Sequence, residues 1–233
     1  MKIAIISDIH GNLDALEKVL ASVDSRKVDE IYCLGDIVGY GPNPNECIDL
    51  VHSRCKVVVL GNHDYGAVDG LPLSHFNQFG RAAIRWTKKV LTTEHTLYLR
   101  RLPFTLATNE ITLVHATPHN PELWHYLTSW AEAEIAFTAF STPVCFVGHV
   151  HVTSVIGADR KLDLFRKEVK HLINVGSVGQ PRDGNPHASY GILDTDSWTY
   201  ENVRVPYDVE KVAKAIMAQK LPDFLAERLF LGV

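Results

Sequence analysis

The first sixty residues alternate short apolar runs with segments of helical periodicity, and this alternation limits the possible folds more than any other feature. Lys2–Ile6 is an apolar run, typical of a strand in a sheet that is covered on both faces. Apolar residues then recur at helical spacing from 13 to 23, directly after Asn12, a candidate helix N-cap. Two more apolar runs, 31–34 and 57–60, enclose a second helix. The order β-α-β-α-β predicts parallel strands that are joined by right-handed crossovers.

A helical insertion is predicted after these strands. The segment 74–93 is expected to be one long helix, because its apolar residues fall on one face at spacings of three and four. A basic stripe of Arg81, Arg85 and Lys88 lies elsewhere on the same predicted helix. We expect the insertion, about 65–101, to lie beside the strand ends as a small cap. The apolar face consists of Phe76, Phe79, Ala83, Trp86 and Val90.

The second half of the chain is richer in strands. Two predicted strands, 104–107 and 111–115, flank Thr108-Asn109-Glu110, a sequence typical of a hairpin turn. Because no long linker, repeat or low-complexity segment divides the chain, we expect a single domain over residues 1–233. The mixture predicts an α/β fold in which two sheets pack face to face with helices outside. The remaining predicted elements are a helix at 129–141, strands at 144–147, 153–156, 171–175, 190–194 and 199–205, and a helical end from 208 to 231 that is interrupted at Pro222.

Composition excludes several classes of protein. A chain of 233 residues can bury roughly 70% of its unfolded surface, so its core needs no disulfides. The net charge of -4 argues against a dedicated nucleic-acid binder, which would be expected to be basic. The apolar runs are far shorter than the roughly 18 residues that cross a bilayer, so no membrane insertion is expected. The four cysteines contain no C-x-x-C pair and the N-terminal segment lacks signal-peptide features, so we expect a reduced, cytoplasmic protein.

Histidine is abundant, and several histidines follow predicted strands directly. The chain has 12 histidines among 233 residues, and histidine is both the commonest metal ligand and the usual acid or base near neutral pH. Ligand sites in α/β sheets gather at the carboxyl ends of strands. Here each such end delivers an Asp, Asn or His side chain. The blocks are Asp8-Ile9-His10, Gly35-Asp36, Gly61-Asn62-His63-Asp64, His115 and Gly148-His149-Val150-His151.

These five blocks are typical of a site for divalent metal ions. Oxygen and imidazole ligands without thiolate fit Mn, Fe, Zn or a similar metal. Asp8 and His10 are two residues apart, so both can point into one site if the chain is extended there; the same holds for His149 and His151. A single block is better explained as a turn or a hydrogen-bonded polar group. Five blocks of ligand type, each at a strand end, favour the metal site.

The five blocks resemble the calcineurin-like metallophosphoesterase superfamily in their order along residues 8–151, which is D-x-H, G-D, G-N-H-D, H and G-H-x-H. The pattern is most similar to that of the small bacterial and archaeal phosphodiesterase-like members. The resemblance implies a four-layer α/β/β/α sandwich and two divalent metal ions, with Mn, Fe, Zn, Ni and Co all open. By motif position it implies that Asp36 bridges the two ions. It assigns Asp8, His10 and His151 to one ion and Asn62, His115 and His149 to the other.

The same resemblance implies the chemistry of phosphoester hydrolysis. Two divalent ions about 3.5–4 Å apart lower the pKa of a bridging water and hold both sides of an in-line displacement at phosphorus. His63 is implied to lie beside the substrate, where it donates a proton to the leaving oxygen or stabilises the phosphoryl oxygens. Asp64 is the candidate catalytic partner that orients His63, although the side chains of adjacent residues often point apart.

One segment departs from the G-D-x-V-D-R-G pattern of the Ser/Thr protein phosphatases in this superfamily. Gly39 stands in place of the Asp that partners the catalytic His, and Tyr40 stands in place of the Arg that grips phosphate. A phenol cannot replace a bidentate guanidinium. The departure argues against a protein phosphatase of that type and leaves Tyr40 as a candidate substrate contact. The G-H-V-H ending is also phosphodiesterase-like.

Further candidate substrate contacts lie in two loops. Arg182 belongs to the segment 174–184, which follows a predicted strand and resembles a loop of the small family members. A buried structural turn explains this segment equally well. The loop after His115 carries residues that could form a rim for an aromatic group, although ordinary packing under a loop also explains them. These rim candidates are His119, Trp124, His125 and Tyr126.

These observations predict a binuclear metal-dependent phosphoesterase that acts on a small phosphorylated molecule by attack of a metal-bridging hydroxide, with phosphodiester or nucleotide substrates preferred. The alternatives are a phosphomonoesterase, a protein phosphatase and a dinucleoside polyphosphate hydrolase. A non-catalytic interaction scaffold is disfavoured because every expected ligand position is filled. A DNA nuclease is disfavoured by the net charge of -4. The sequence leaves the oligomeric state open.

Overall fold

Two five-stranded β-sheets pack face to face within the residues that the computed structural model describes, 1–108 and 110–233. The first sheet contains β1 (Lys2–Ile6), β2 (Glu30–Cys33), β3 (Val57–Val58), β9 (Ala188–Asp194) and β10 (Thr199–Val205). Their order across the sheet is β10-β9-β1-β2-β3. The strands β1, β2 and β3 are parallel, which confirms the prediction for the first sixty residues, and β9 runs antiparallel to β1.

The second sheet contains β4 (Thr105–Ala107), β5 (Ile111–Val114), β6 (Val144–Val147), β7 (Thr153–Gly157) and β8 (His171–Val175). Their order is β4-β5-β6-β8-β7. The three central strands are parallel, whereas β4 and β7 pair antiparallel at the two edges. The antiparallel pairing of β4 with β5 agrees with the predicted hairpin, but Asn109 of its turn lies outside the described residues.

Helices cover the outer face of each sheet. They are α1 (Leu13–Ser25), α2 (Pro44–Arg54), α3 (Asn62–Ala67), α4 (Gln78–Val90), α5 (Thr93–Arg100), α6 (Trp130–Thr138), α7 (Val209–Ala218) and α8 (Asp223–Leu231). The helices α1 and α2 pack on the first sheet and α6 packs on the second. The fold is therefore a four-layer α/β/β/α sandwich, as predicted. No helix among the described residues has the length and apolar character needed to cross a membrane.

The alternation of side chains along β1 explains how two separate cores form on its two faces. Ile3 and Ile5 point toward the second sheet, where they share a core with Phe146. Ala4 and Ile6 point the other way, into the core beneath α1 and α2. Because successive residues of a strand face opposite sides, a strand with both faces buried must be apolar throughout. Full burial of each large apolar side chain contributes about 1.5–3 kcal/mol.

The start of α1 is held as the sequence predicts. The Asn12 side chain accepts a hydrogen bond from the Ala15 backbone N–H at 3.1 Å, which is the N-cap contact. Its amide also donates to the Gly179 carbonyl at 2.9 Å. Asn12 therefore joins the first turn of α1 to the loop that follows β8, and both segments lie beside the motif blocks at the strand ends.

The predicted single helix over 74–93 is wrong at its start. Leu73–His75 forms one 3₁₀ turn, and α4 begins only at Gln78. The Asn77 side chain accepts the Gly80 backbone N–H at 2.9 Å and so acts as the N-cap of α4. Phe76 therefore precedes the helix instead of belonging to its apolar face.

The same prediction is wrong at its end. Leu91 leaves the helical conformation after Val90, and a new helix, α5, starts because Thr92 caps it by accepting the His95 backbone N–H. The helix α4 packs on α7 and α8, with the rings of Phe79 and Phe224 stacked 4.5 Å apart. The insertion thus contains two helices with different partners: α4 packs on the C-terminal helical pair, whereas Leu99 of α5 lies in the core beneath α1 and α2.

Two further differences lie close to the strand ends that carry the motif blocks. The strand β3 stops at Val58, before the predicted end at residue 60, although the Val59 N–H still donates to the Cys33 carbonyl at 3.0 Å. Residues 62–67, which the sequence did not predict to be helical, form α3. Asn62 is the first residue of this helix, so its position is set by a helix start and not by a strand.

Candidate metal centre

Seven side chains from five loops converge at the carboxyl ends of the parallel strands. Two groups are defined by their donor atoms, which lie within 4.8 Å of one another: Asp8, His10 and His151, and Asp36, His115 and His149. Asn62 contacts the second group. All seven side chains are at least nine-tenths buried. The predicted ligand residues are therefore brought together as two adjoining groups.

The backbone at these loops is left-handed and not extended, so the expected extended chain at the two motif pairs is wrong. The φ angles are +54° at Asp8, +50° at His10, +66° at His149 and +63° at His151. Asp36 has the same conformation, with a φ of +51°. This conformation costs an L-residue roughly 1–3 kcal/mol, so it persists only where the surrounding structure enforces it. Such residues concentrate at functional sites.

Each of the four candidate ligand histidines has one ring nitrogen that is hydrogen-bonded to a backbone carbonyl. A carbonyl oxygen only accepts, so the nitrogen that faces it must carry the hydrogen, and the other ring nitrogen keeps its lone pair. Such a contact fixes the tautomer and the ring orientation of a metal-binding histidine. The pairs are His10 Nδ1 with Val38 at 3.1 Å, His115 Nδ1 with Leu34 at 2.9 Å, His151 Nδ1 with Gln180 at 2.6 Å and His149 Nε2 with Trp124 at 3.1 Å.

The remaining lone pairs face one another in the group of Asp8, His10 and His151. The Nε2 atoms of His10 and His151 are 3.1 Å apart, a repulsive contact between two lone pairs unless a positive charge lies between them. Asp8 Oδ1 is 3.1 Å from His151 Nε2 and is buried without a hydrogen-bond partner among the described residues. A buried carboxylate oxygen without a donor is costly, and coordination of a cation removes that cost.

Asp36 lies between the two groups. Its Oδ2 atom is 3.3 Å from His115 Nε2 and 3.7 Å from His10 Nε2. Its other oxygen accepts the His63 backbone N–H at 2.7 Å. Asn62 Oδ1 is 3.2 Å from His115 Nε2, so here also an acceptor oxygen faces a lone pair. A carboxylate with one oxygen within 4 Å of both groups has the position that a bridging ligand requires.

The electrostatics of the centre favour bound cations. Burial lowers the pKa of His149 to about 3 and that of His10 well below its ordinary value, so both rings are neutral and offer lone pairs. Burial also acts to lower the pKa of His115, but the adjacent Asp36 carboxylate outweighs it and raises this pKa to about 9. A positive charge is thus favoured between the carboxylates, and this donor set of Asp, Asn and neutral His suits divalent transition metals.

His63 differs from the four ligand histidines, although its ring also lies within 4.8 Å of His10 and Asp36 donor atoms. Its Nδ1 atom is buried without a partner among the residues described. The ring is held by packing instead, with Tyr40 at 4.4 Å and Phe76 at 5.0 Å between centroids. Burial lowers the pKa of His63 to about 4. His63 lines a cavity that opens over the centre.

Gly39 explains why no side chain partners His63 from the neighbouring loop. A Cβ atom at Gly39 would lie 2.5 Å from His63 Nδ1, and the φ of Gly39 is +90°. Both the space and the backbone conformation therefore require glycine at this position. The packing of this loop against His63 therefore leaves no room for the Asp that phosphatases carry at the position of Gly39.

Asp64, the predicted partner of His63, contacts backbone groups instead. Its Oδ1 accepts the Val38 N–H at 3.0 Å and its Oδ2 accepts the Gly61 N–H at 3.2 Å. Burial, together with the Asp36 carboxylate, raises the pKa of Asp64 to about 8. These contacts tie the loop after β2 to the start of α3, so Asp64 supports both loops and does not hydrogen-bond to the His63 ring.

The structure brings two of the three candidate substrate contacts to the cavity. Tyr40 and Arg182 both line it. The Arg182 guanidinium carbon lies 5.8 Å from the centroid of the Tyr40 ring, and its Nη2 donates to the Gln180 side chain at 2.8 Å. The Arg182 backbone N–H donates to the His151 carbonyl at 3.1 Å. Arg182 is thus anchored to a candidate ligand by its own backbone.

The third candidate, His119, lies elsewhere together with His125. Both are exposed and line a second cavity, next to the first. Of the other rim candidates, Trp124 lines the cavity over the centre, and Tyr126 lines both cavities. The predicted rim is therefore divided between two cavities, with Tyr126 at the boundary.

The basic stripe on α4 does not line either cavity. Lys88 forms an ion pair with Asp69, and the Arg81 guanidinium donates to the Phe76 carbonyl at 2.6 Å. Arg85 is exposed. The insertion reaches the centre through the segment before α4 instead, because Leu71, His75, Phe76 and Asn77 line the cavity.

Sequence reasoning missed several residues of the site. Ser7 donates from Oγ to Asp8 Oδ2 at 2.7 Å, and the His149 backbone N–H donates to the same oxygen at 3.0 Å. The signal for Ser7 was a hydroxyl residue that ends an apolar strand directly before the D-x-H block. Leu71, His75 and Phe76 carried no such signal, since their place depends on where the insertion folds.

Comparison with known proteins agrees with this centre. A model of the calcineurin-like phosphoesterase superfamily domain matches residues 1–198. The chain is 44% identical to an uncharacterized protein of Methanocaldococcus jannaschii, over 99% of this chain and 98% of that protein. It is 28% identical to the phosphodiesterase YfcE of Escherichia coli, over 84% and 89% of the two chains.

A solved structure shows the same fold. The crystal structure of a metallophosphoesterase from Sphaerobacter thermophilus has a TM-score of 0.91 at 41% identity, covering 100% of this chain and 99% of that one. The match of the superfamily model to most of the chain and the likeness to these relatives agree with the Asp and His groups at the strand ends. The chain therefore belongs to the calcineurin-like phosphoesterase superfamily and is a hydrolase.

Proposed function

We propose that this protein is a phosphodiesterase that hydrolyses small phosphodiester or nucleotide substrates at a centre of two divalent metal ions. The observation that carries the proposal is the convergence of seven side chains of metal-ligand type, whose oxygen atoms and ring nitrogens face one another. Asp8 Oδ1 has no hydrogen-bond donor among the described residues, and two histidine lone pairs stand 3.1 Å apart. Bound cations satisfy all of these groups at once.

The ligands fall into the two groups described above. Asp8, His10 and His151 hold one ion, Asn62, His115 and His149 hold the other, and Asp36 is shared. Two divalent cations at these positions supply Lewis acidity, which makes water a stronger nucleophile and stabilises the charge that develops on the phosphoryl oxygens. The four backbone carbonyls orient the histidine rings, so that the other nitrogen of each ring is directed toward the centre.

Residues that line the cavity handle the substrate. His63, whose ring lines the cavity, donates a hydrogen bond to a phosphoryl or leaving oxygen. Arg182, whose guanidinium lies near the Tyr40 ring, binds an anionic oxygen of the substrate. Asp64 acts as a positioning residue, because it holds the loops that carry Asp36 and His63 in register.

Hydrolysis of two model esters tests the proposal. The purified protein is stripped of metal, loaded in turn with Mn, Fe, Co, Ni or Zn, and assayed on bis(p-nitrophenyl) phosphate and p-nitrophenyl phosphate. We expect hydrolysis with at least one of these metals, with the diester preferred, and no hydrolysis by the stripped protein. Preference for the monoester points to the phosphomonoesterase alternative. Absence of hydrolysis of either ester with every metal contradicts the proposed function.

A further inference from the structure

Two cavities meet at a single exposed aromatic ring. The cavity over the candidate metal centre adjoins a second, larger cavity. Tyr126 lines both of them. Its ring stacks on the imidazole of His149 with centroids 4.3 Å apart and an angle of 27° between the planes. Even so, 54% of Tyr126 is exposed to solvent, so a large part of the ring remains open for a ligand.

The neighbouring cavity joins apolar surface to a small set of polar groups. Tyr126 and Ile135 provide the apolar part, and both are half exposed. His119 Nε2 and Asn120 Nδ2 are 3.1 Å apart and hydrogen-bond to each other. An amide nitrogen only donates, so Asn120 Nδ2 donates to His119 Nε2, and the His119 Nδ1–H and the Asn120 side-chain oxygen remain as a donor and an acceptor for a ligand. Flat apolar surface with a donor and an acceptor at its edge matches a heterocyclic base, which has a π-face and a polar edge.

Glu132, the one acidic residue in the described lining of this cavity, already uses its carboxylate in hydrogen bonds. Glu132 accepts backbone N–H groups of Thr128 and Ser129 at 2.6 and 2.8 Å, as part of the N-terminal cap of α6. The Glu132 carboxylate therefore forms hydrogen bonds at the start of α6 and is not directed to a ligand. The described lining of this cavity contains no Lys or Arg, so the cavity suits an uncharged ring better than a second phosphate group.

We propose that the cavity lined by Tyr126, His119 and Asn120 is a subsite for the nucleobase of a nucleotide substrate whose phosphate lies at the metal centre. This inference rests on the proposed function and narrows its substrate class to nucleotides. Because Tyr126 packs directly on the candidate ligand His149, a base stacked on the open part of its ring is close enough for a ribose to join it to a phosphate at the centre. Stacking on an aromatic ring tolerates any base, so discrimination among bases is left to the His119–Asn120 pair.

Binding of a product-like nucleotide tests the subsite without relying on turnover. Dissociation constants are measured by calorimetry for adenosine 5′-monophosphate and for ribose 5-phosphate, with the metal-loaded protein. The two probes share a sugar phosphate and differ in the base. We expect adenosine 5′-monophosphate to bind about tenfold more tightly, in the range that base–aromatic stacking contributes.

Variants locate the source of that difference. We expect Tyr126→Ala to reduce the tenfold ratio to about one, and Tyr126→Phe to retain it, because the ring remains. His119→Ala is expected to reduce the ratio about threefold, the effect of one hydrogen bond. Phe230→Ala is the matched control: Phe230 is also about half exposed, at 52%, but lines neither cavity, so the ratio should not change.

The outcomes separate this inference from the proposed function. Equal binding of the two probes to the unaltered protein overturns the base subsite but leaves a phosphate site at the centre. A tenfold ratio that survives Tyr126→Ala overturns it as well, since the base then stacks elsewhere in the cavity. If neither probe binds the metal-loaded protein, phosphate does not enter the centre, and both the subsite and the proposed function are contradicted.

Discussion

The two halves of the metal centre are built from similar ligands but differ in their access to solvent. The Asp8 half consists of Asp8, His10 and His151, which are 0%, 1% and 2% exposed. The His149 half consists of Asn62, His115 and His149, of which Asn62 and His149 are 8% and 6% exposed. Both of these line the open cavity, as does His151 of the Asp8 half, whereas Asp8, His10 and His115 do not. The Asp8 half is therefore the more enclosed part of the centre, because it reaches the cavity through His151 alone, whereas the His149 half reaches it through its two more exposed residues, Asn62 and His149.

The difference follows from which loops cover each half. The Asp8 half lies against the loop after β8, through the His151 contact with the Gln180 carbonyl and the Asn12 contact with Gly179. His149 of the other half lies against the loop that carries Trp124 and the half-exposed Tyr126. We infer that an ion in the Asp8 half exchanges slowly, and that an ion in the His149 half exchanges faster and contacts substrate. Four predictions test this contrast, from the largest expected effect to the smallest.

Asp36→Asn should have the largest effect, because Asp36 is shared by the two halves. An amide keeps the shape of the carboxylate but removes the charge that holds two cations close together. We expect the rate of diester hydrolysis to fall by about three orders of magnitude, measured with saturating metal. Asp24→Asn, at an exposed surface aspartate, is the matched control and should keep the original rate. A loss of less than about tenfold in Asp36→Asn would mean that the halves work independently.

His151→Ala and His149→Ala should each remove one ion, but from different halves. We expect metal content to fall from two ions to one in both variants, and hydrolysis to fall about a hundredfold or more, since even the loss of an outer partner of a ligand costs 10–100-fold. The two variants should lose their remaining ion to a chelator at different rates. The ion that remains in His149→Ala lies in the enclosed half and should leave more slowly than the ion that remains in His151→Ala. Equal rates of loss, measured by metal analysis over time, contradict the contrast.

Gly39→Ala should disturb substrate turnover without emptying either half. The added Cβ would lie 2.5 Å from His63 Nδ1, at a residue with a φ of +90°. We expect kcat to fall about tenfold through displacement of the His63 ring, and the free energy of unfolding to fall by about 1–2 kcal/mol.

A matched control separates the two effects of Gly39→Ala. Gly184 has a φ of +77°, and nothing lies within 4 Å of an added Cβ there. Gly184→Ala should therefore show a similar loss of stability with an unchanged kcat. A normal kcat in Gly39→Ala, at full metal content, would remove His63 from the proposed role.

Ser7→Ala should have the smallest effect and should be confined to the Asp8 half. The Ser7 hydroxyl donates to Asp8 Oδ2 at 2.7 Å and is fully buried. Its loss is expected to weaken the ion of that half about tenfold, as for other outer partners of metal ligands, while the His149 half keeps its affinity. Metal titration of the stripped protein measures both steps, with Ser53→Ala on the exposed surface of α2 as control. Equal weakening of both steps contradicts separate halves.

The residues at strand ends were predictable because strand direction and residue type carry the information. Parallel strands deliver their following residues to one edge, so Asp8, Asp36 and His115 could be placed together from the amino-acid sequence alone. The N-cap at Asn12 was predictable for the same reason, since its contact lies within one helical turn. Local patterns of this kind depend on few neighbours, and they account for the correct part of the prediction.

The insertion was not predictable to the same degree. The spacing of Phe76 with Phe79 fits a helix, but Asn77 caps a helix that begins after Phe76, and Thr92 starts another. The sequence is compatible with one long helix and with two shorter ones. The packing of α4 on α7 and α8, which lie far away along the chain, favours the two shorter helices. The role of Asp64 was missed similarly, because its partners Val38 and Gly61 are backbone groups that no side-chain pattern reveals.

The left-handed backbone at five candidate ligands has a consequence for attempts to stabilise this protein. At Asp8, His10, Asp36, His149 and His151, glycine would adopt the observed φ without the penalty that an L-side chain carries. A selection for thermostability alone, carried out without metal, would therefore enrich glycine at the very positions that we propose as metal ligands. Stability engineering of this protein should hold these five positions fixed, or select in the presence of metal, where ligand binding repays the backbone penalty.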